Sequence, residues 1–261
     1  MRVPLPRVSR YCRRDWLKDF SQYINLEVTL ILIGNRLLAA LPRSEQRQLL
    51  PKLERVPLAL GDIIYEPDEP IQYTYFPYQG VISILSTLKG RTSIEVGTVG
   101  NEGAAGITLF LGVDSSPNRA VVQVPGEAMK MKASDFKAAV KKDGSKFREL
   151  VQLYAYVLLT QLSLSVTCNR FHNVEKRLAR WLLAIQDRVQ SNEFLLTQEY
   201  ISQMLGAHRP HVTKAVGNLQ NGGLIRFSRG KIIIVNRRGL EKVSCVCYHT
   251  AKDRFDGLFG G

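Results

Sequence analysis

Hydrogen-bonding and basic side chains gather in the stretch 196–219, LTQEYISQMLGAHRPHVTKAVGNL. The stretch predicts two short helices around a tight corner. Thr197 can cap the first helix, and Gly206 offers the left-handed backbone that residues with a Cβ resist. Val212, Val216 and Leu219 then follow at spacings of four and three, which gives the second helix one apolar stripe.

The outward side chains at the start of the second helix determine what this pair of helices can bind. Pro210 is tolerated there because the amides of a first helical turn have no partner within the helix. The exposed residues suit guanine edges and phosphates, as on a recognition helix in the major groove. An ordinary helical hairpin with a solvated polar face is the alternative. These outward residues are Arg209, His211, Thr213 and Lys214.

The next segment favours the DNA-binding interpretation. Residues 224–235 predict two strands around a basic tip at residues 228–231, which is a winged arrangement. Between Gly206 and Leu240 there are seven Lys or Arg and no Asp or Glu, a pattern typical of a phosphate-facing surface. The predicted partner is double-stranded DNA, contacted by Thr197, Gln198, His208, Arg209, His211, Thr213, Lys214, Arg229 and Lys231.

The whole chain sets wider bounds. Its 261 residues predict about two domains, and its net charge of +13 suits a nucleic-acid partner, although a membrane surface would explain charge alone equally well. No apolar run reaches the roughly 18 residues that a membrane span requires. Four scattered cysteines are not a disulfide framework. We therefore expect a cytoplasmic protein that has no membrane partner.

The order of elements predicts the domain organisation. Helical leucine spacing in residues 35–56 is followed by six short β-type segments (62–66, 72–76, 80–86, 92–99, 119–124 and 127–132), which indicate an antiparallel β-barrel or roll. The longest helical pattern runs over residues 145–168. The predicted units are a basic N-terminal extension (1–34), the β-roll domain (35–144), a dimerisation helix (145–172), the winged helix-turn-helix (173–243) and a C-terminal tail (244–261).

A heptad pattern marks the long helix. Steps of three and four residues predict a seam of about three repeats. The seam could pack against the chain's own β-roll or against a second subunit, and apolar residues on another face favour both at once, hence a homodimer. The predicted seam consists of Phe147, Leu150, Tyr154, Val157, Gln161 and Leu164.

This order of elements resembles the Crp/Fnr family of transcription regulators over roughly residues 35–243, most specifically at residues 196–206 followed by Arg209, Val212 and Lys214. The resemblance implies an α+β fold: an N-terminal antiparallel, cyclic-nucleotide-binding-like β-roll, a long dimerisation helix and a C-terminal winged helix-turn-helix. In the cyclic-AMP receptor branch an Arg, a Glu and an Arg read bases, and Arg209, Pro210 and Lys214 hold those positions here. Since Pro210 cannot accept a hydrogen bond from cytosine, we do not expect that branch's consensus site.

The resemblance also identifies an effector pocket, and its residues depart from the family. Where the family binds a ribose hydroxyl with a Glu after a glycine, Gly106 is followed here by Ile107, which accepts no hydrogen bond. Arg119 stands near the family's phosphate-binding position and could equally be an exposed residue at a strand start. A buried hydroxyl without its partner costs about 1–3 kcal/mol. We therefore expect that cyclic AMP is not the effector, which stays unknown.

Metal and cofactor sites find little support in the sequence. The oxygen-sensing branch of the family holds an iron–sulfur cluster that needs four thiolates or near equivalents, and Cys12 is alone in the N-terminal region. Cys245, Cys247 and His249 could place three ligands together, and the role of these residues stays open. No cofactor and no metal site are predicted.

Taken together, these patterns predict a sequence-specific transcription regulator of Crp/Fnr type that binds a pseudo-palindromic site as a homodimer. RNA polymerase would be a further partner if the protein is an activator. A scaffold module that binds a protein through the β-roll is the alternative. We do not expect the protein to be an enzyme, because the sequence offers no convincing nucleophile–base pair and no paired catalytic carboxylates.

Overall fold

In a computed structural model of the chain, which describes residues 34–87 and 93–259, the alternating segment folds into one antiparallel sheet. Its strands are β1 (Leu53–Leu58), β2 (Ile63–Tyr65), β3 (Tyr73–Thr87), β4 (Ser93–Val99) and β5 (Arg119–Lys132). The order is β1-β5-β3-β4, and β2 also pairs with β5. The predicted β-roll is confirmed. Residues 1–33 of the predicted basic extension lie outside the described residues.

The strand boundaries correct several predictions. β3 covers two predicted strands, and its pairing with β5 shifts register around Gly80. Gly80 has a φ of +85° and lies close to the Val124 carbonyl, so this position has no room for a side chain. β5 likewise covers two predicted strands across Pro125 and Gly126. The helical reading of residues 53–56 is wrong, because this segment pairs with β5 along its whole length. Cross-strand pairing overrides local leucine spacing here.

The α-helices that accompany the β-roll in the described residues are α1 (Arg36–Ala39), α2 (Arg43–Leu49), α3 (Ala133–Val140) and the long α4 (Lys146–Phe171). The start of α4 is well capped. The Ser145 hydroxyl accepts a hydrogen bond from the Arg148 amide at 3.1 Å. The Glu45 carboxylate accepts from the Lys146 and Phe147 amides at 2.8 and 2.9 Å. Three first-turn amides thus have acceptors, and α4 is anchored to α2.

The heptad residues of α4 face the chain's own core, which corrects the predicted dimer seam. Phe147, Leu150, Tyr154 and Val157 are buried in the same cluster as the β-roll core. The Gln161 amide group hydrogen-bonds the Thr98 hydroxyl of β4 at 3.0 Å. Leu164, the last predicted seam residue, is half-buried. These side chains are therefore used within the protomer, and the outward face of α4 carries a different set: Leu153, Tyr156, Leu159 and Val166.

The second half of the chain begins after a break at His172 and Asn173. Its elements are α5 (Val174–Val189), β6 (Glu193–Leu195), α6 (Gln198–Leu205), α7 (Arg209–Asn221), β7 (Ile225–Ser228), β8 (Lys231–Ile234), α8 (Arg237–Val243) and α9 (Cys247–Leu258). The three strands form a small antiparallel sheet in the order β6-β8-β7. The predicted tail is thus largely helical, and Phe255 of α9 is buried in the β-roll core cluster.

The two halves pack against each other. Val81 and Leu85 of β3 lie in the same buried cluster as Trp181 of α5 and Ile201 of α6. Burial of such apolar side chains is worth about 1.5–3 kcal/mol each. The β-roll therefore holds the C-terminal helices in one orientation.

The long helix α4 is also the one helix among the described residues that is long and apolar enough to cross a membrane by length and composition. One of its faces is buried against the β-roll. A core helix explains that composition.

Candidate nucleic-acid interface

The corner between α6 and α7 has the geometry that its sequence predicts. The Thr197 hydroxyl caps α6 by accepting a hydrogen bond from the Tyr200 amide at 3.1 Å. Gly206 ends α6 with a φ of +55° and a ψ of +43°. A Cβ at Gly206 would also come within 2.6 Å of the Ile94 side chain of β4. The corner therefore needs glycine for its backbone and for its contact with the β-roll.

The polar face of α7 is exposed and lies away from the core. Val212, Val216 and Leu219 are buried, which leaves the opposite side of the helix in solvent. The Thr213 hydroxyl donates to Gln198 Oε1 at 2.8 Å, so the two helices are also joined at their surface. His208 precedes the helix in an extended conformation and makes no side-chain cap. The exposed residues at the start of α7 are Arg209, Pro210, His211, Thr213 and Lys214.

The wing, defined as the β7–β8 hairpin (residues 225–234), presents its basic tip beside α6. Arg229 and Gly230 have φ values of +50° and +75°, the turn that suits a two-residue hairpin. The Gly230 carbonyl accepts from the Leu196 amide at 2.7 Å, which ties the tip to the residues before α6. Arg229 is exposed and Lys231 is half-buried.

Glu199 and Glu193, which lie outside the basic run in sequence, come close to its side chains at the corner and at the wing. Glu199 of α6 lies 3.9 Å from the Arg209 guanidinium, with both side chains mostly exposed. Glu193 of β6 forms an ion pair with Lys231. An exposed pair of this kind contributes about 0–1 kcal/mol, so a phosphate can displace it. The surface is nevertheless less one-sided than residues 206–240 alone indicate.

The two predicted effector residues, Gly106 and Arg119, lie in different elements: one precedes a 3₁₀ turn and the other begins β5. Gly106 has a φ of +93° and begins a short 3₁₀ turn, Ile107–Leu109. Arg119, at the start of β5, donates to the Glu66 carboxylate at 2.7 Å, and both side chains are partly exposed. Arg119 therefore already has an anionic partner within the chain.

Two polar contacts at the junction of the halves could not be read from the sequence. The Trp181 indole of α5 donates to the Glu95 carboxylate of β4 at 2.8 Å, and Ser83 donates to the same carboxylate at 2.7 Å. Farther along α5, Arg188 pairs with the buried Glu102 at 2.9 Å. The Trp181–Glu95 and Arg188–Glu102 links each join residues 86 positions apart, so no local pattern could reveal them.

The cysteine-rich end of the chain is also arranged differently from its sequence spacing. Cys245 and Cys247 lie beside Cys168 and His172 at the end of α4. His249 is exposed, and its ring packs on Tyr248 at a centroid distance of 5.0 Å. The spacing of four between Cys168 and His172 is the signal that could have identified this pair.

Residues 176–243 match the family model of the Crp-like helix-turn-helix domain. The match contains α6, α7 and the wing. No curated protein sequence matches the chain significantly. Residues 176–243 therefore form a Crp-like helix-turn-helix domain.

Solved structures with a similar fold cover most of the chain. FixK2 from Bradyrhizobium japonicum superposes with a TM-score of 0.61 at 17% identity, covering 74% of this chain and 98% of its own. A putative regulator of the Crp/Fnr family from Eubacterium rectale gives a TM-score of 0.61 at 18% identity, with 79% and 96% covered. A CRP-family regulator from Thermus thermophilus gives 0.61 at 16% identity, with 72% and 96% covered. The chain therefore has the Crp/Fnr fold.

Proposed function

We propose that this chain, a DNA-binding transcription regulator with the Crp/Fnr fold and a Crp-like helix-turn-helix domain, reads a pseudo-palindromic duplex site as a homodimer in the cytoplasm. The exposed polar face of α7 beside the basic wing tip carries the proposal. Two such helices related by a twofold axis would enter successive major grooves about 34 Å apart. RNA polymerase would be a further partner if the bound protein activates transcription.

Within this interface the residues have different roles. Arg209 is exposed at the start of α7, where a guanidinium can make two hydrogen bonds to guanine. His208 lies at the corner, and Arg229 and Lys231 lie on the wing. Phosphates of a bound duplex would pass both places, and we assign the sequence-independent part of the affinity to these three residues. Thr197 caps α6, and Gln198 joins α6 to Thr213 of α7. In the complex, both residues would place the start of α6 beside the DNA backbone.

Replacing Arg209 with Ala should weaken binding to the preferred site by about 1–3 kcal/mol and relax the preference at one base pair per half-site. The preferred site is first selected from a random duplex library with the purified protein. Binding of both proteins is then measured on that site and on single-base variants.

Arg229→Ala is the matched control, because it removes an equal charge from the wing tip. It should weaken binding to all sequences alike and reduce the slope of log affinity against log salt by about one. Equal losses on all sequences for Arg209→Ala would contradict its base-reading role. Library selection without any enriched sequence would contradict the proposed function.

The homodimer would form through the outward face of α4. Leu153, Tyr156, Leu159 and Val166 are between 41% and 72% exposed, on the side opposite the β-roll core. A second copy of α4 would cover this row around a twofold axis. That axis would also relate the two recognition helices.

Leu159→Glu should shift the protein from dimer to monomer, because an unpaired carboxylate in an apolar contact costs several kcal/mol. Sedimentation velocity should show a dimer dissociation constant that is raised roughly tenfold or more. Leu111→Glu is the control, since Leu111 is similarly exposed (60%) and lies in the turn that follows the 3₁₀ segment Ile107–Leu109. A dimer of unchanged stability in Leu159→Glu would contradict this interface.

Cyclic AMP is not the effector in this proposal. Ile107 offers no acceptor after Gly106, and Arg119 is paired with Glu66. Saturable binding of cyclic AMP at low micromolar concentration in calorimetry would overturn this part.

A further inference from the structure

Three cysteines and one histidine converge where α4 ends. Their ligand atoms all lie within 4.8 Å of one another, although Cys168 and His172 are far in sequence from Cys245 and Cys247. The Cys168 and Cys245 sulfurs are 3.5 Å apart. The Cys247 sulfur lies 3.7 Å from His172 Nδ1. All three cysteines are free thiols and are nearly inaccessible to solvent.

The helices explain this convergence. Cys168 and His172 are four residues apart and therefore share one face of the last turn of α4. The His172 amide donates to the Cys168 carbonyl at 3.1 Å and holds that turn closed. On the other side, Cys245 lies in the short link between α8 and α9, and Cys247 is the first residue of α9. The Tyr248 amide donates to the Cys245 carbonyl at 3.0 Å.

We propose that these four side chains bind one divalent, thiolate-preferring ion such as Zn²⁺ in a tetrahedral site of three sulfurs and one nitrogen. Zinc bond lengths of about 2.3 Å to sulfur and 2.0–2.1 Å to nitrogen imply tetrahedral edges of about 3.8 and 3.6 Å. The S–S and S–N distances above are close to these edges. Hard ions prefer oxygen ligands, and a cluster of several irons needs its ligands spread over more than one metal.

The charges around the cluster fit an anionic metal centre. Three thiolates and a divalent ion carry a net charge of −1, and Arg177 and Arg180 of α5 are the nearby cations. The Nε atoms of both arginines are buried and have no hydrogen-bond partner among the described residues. Metal-bound sulfur would provide acceptors for such donors.

The position of the site gives it a role that rests on the proposed function. Cys168 and His172 immediately precede the DNA-reading unit (residues 174–243), and Cys245 and Cys247 immediately follow it. One ion would therefore join both ends of that unit to the end of α4. Metal binding would fix the recognition helices relative to the dimer helices, and metal loss would release them.

Cobalt substitution of the full-length chain tests the site directly. The protein is stripped of metal under reducing conditions and titrated with Co²⁺, whose absorption reports tetrahedral geometry and thiolate ligands. We expect one Co²⁺ per chain, displaced by one Zn²⁺. Absence of stoichiometric binding, or an octahedral spectrum without thiolate charge transfer, would overturn the site.

Matched variants identify the ligands. His172→Ala and Cys247→Ser should both lose tight binding, and Cys247→Ser should also lose the charge-transfer intensity of its own thiolate. His249→Ala should bind like the parent, since His249 is exposed. His172 is half-buried, so its removal leaves the core intact. Loss in His249→Ala with retention in His172→Ala would overturn the assignment.

Measurements of DNA affinity test whether the metal site has the proposed role in DNA binding. Chelation should weaken binding to the selected duplex at least several-fold in the parent and leave the affinity of His172→Ala unchanged. Unchanged affinity in the chelated parent would overturn the role in DNA binding while leaving the metal site intact. A metal-loaded parent that shows no sequence preference would instead contradict the proposed function.

Discussion

Replacing Glu102 with Ala should destabilise the full-length protein by about 3–5 kcal/mol, because it leaves the Arg188 guanidinium buried without its counter-ion. Arg188 and Glu102 have side chains that are 8% and 3% exposed, and Arg188 Nε donates to Glu102 Oε1 at 2.9 Å. Ala184 supplies a carbonyl acceptor to Arg188, but it carries no charge. Urea denaturation, followed by tryptophan fluorescence, measures the change in the free energy of unfolding.

The control for this variant is Asp143→Ala, which breaks the exposed pair with Arg148. Asp143 is 95% exposed, so its removal should cost at most about 1 kcal/mol. The double variant Glu102→Leu with Arg188→Met should recover most of the loss, because it removes both buried charges. A cost for Glu102→Ala no larger than that of Asp143→Ala would show that Arg188 finds water or another partner.

This ion pair is a contact that the sequence could not predict, whereas local features could be predicted. The corner at Gly206 and the stripe of Val212, Val216 and Leu219 follow from spacings within one or two helical turns. The Glu102–Arg188 and Glu95–Trp181 contacts each span 86 positions. Such contacts depend on how the two halves dock, and local periodicity carries no information about docking.

The long helix shows a second limit. Its heptad identifies an apolar face correctly, since Phe147, Leu150 and Tyr154 are buried. A heptad does not reveal whether the chain's own β-roll or a second subunit covers that face. The 26-residue helix is apolar on two sides, and the β-roll covers the one that looked like a coiled-coil seam.

The candidate site was predicted best where its residues are contiguous. Arg209, His211 and Lys214 are exposed on one helix as expected. The acidic neighbours Glu193 and Glu199 were not expected, because they precede the basic run in sequence and reach it only through the fold. The cluster of three cysteines and one histidine was anticipated only in part, because Cys245 and Cys247 stand close in sequence whereas Cys168 and His172 lie on α4 and at its end.

The contact between Glu95 of the β-roll and Trp181 of α5 should weaken as the pH rises towards neutrality, because Glu95 then loses its proton. Burial raises the pKa of Glu95 from 4.5 to about 7, against the opposing effects of hydrogen bonds from Ser83 and Trp181 and of the nearby Arg180 and Arg188 charges. In the unfolded chain Glu95 ionises near 4.5. Between the two values the unfolded chain loses its proton while the folded one keeps it.

The sign of the pH effect follows from this difference. The stabilisation is complete below about pH 4.5 and is lost as the pH rises through about 7. A shift of that size, discounted for the partial exposure of Glu95, corresponds to about 2–3 kcal/mol. Glu95→Gln mimics the protonated carboxyl at every pH. Relative to the parent, it should therefore gain about 2–3 kcal/mol of unfolding free energy between about pH 5 and pH 8.

A second carboxylate provides the control, since it should respond in the opposite direction. Glu127 accepts hydrogen bonds from Tyr78 and Arg55, which lower its pKa. Glu127→Gln should thus lose stability relative to the parent as the pH rises from acid to neutral. A difference between Glu95→Gln and the parent that stays constant over the same pH range would mean that Glu95 is ionised in the folded protein. The contact with Trp181 would then be a charged one, and acid would weaken the docking of the two halves.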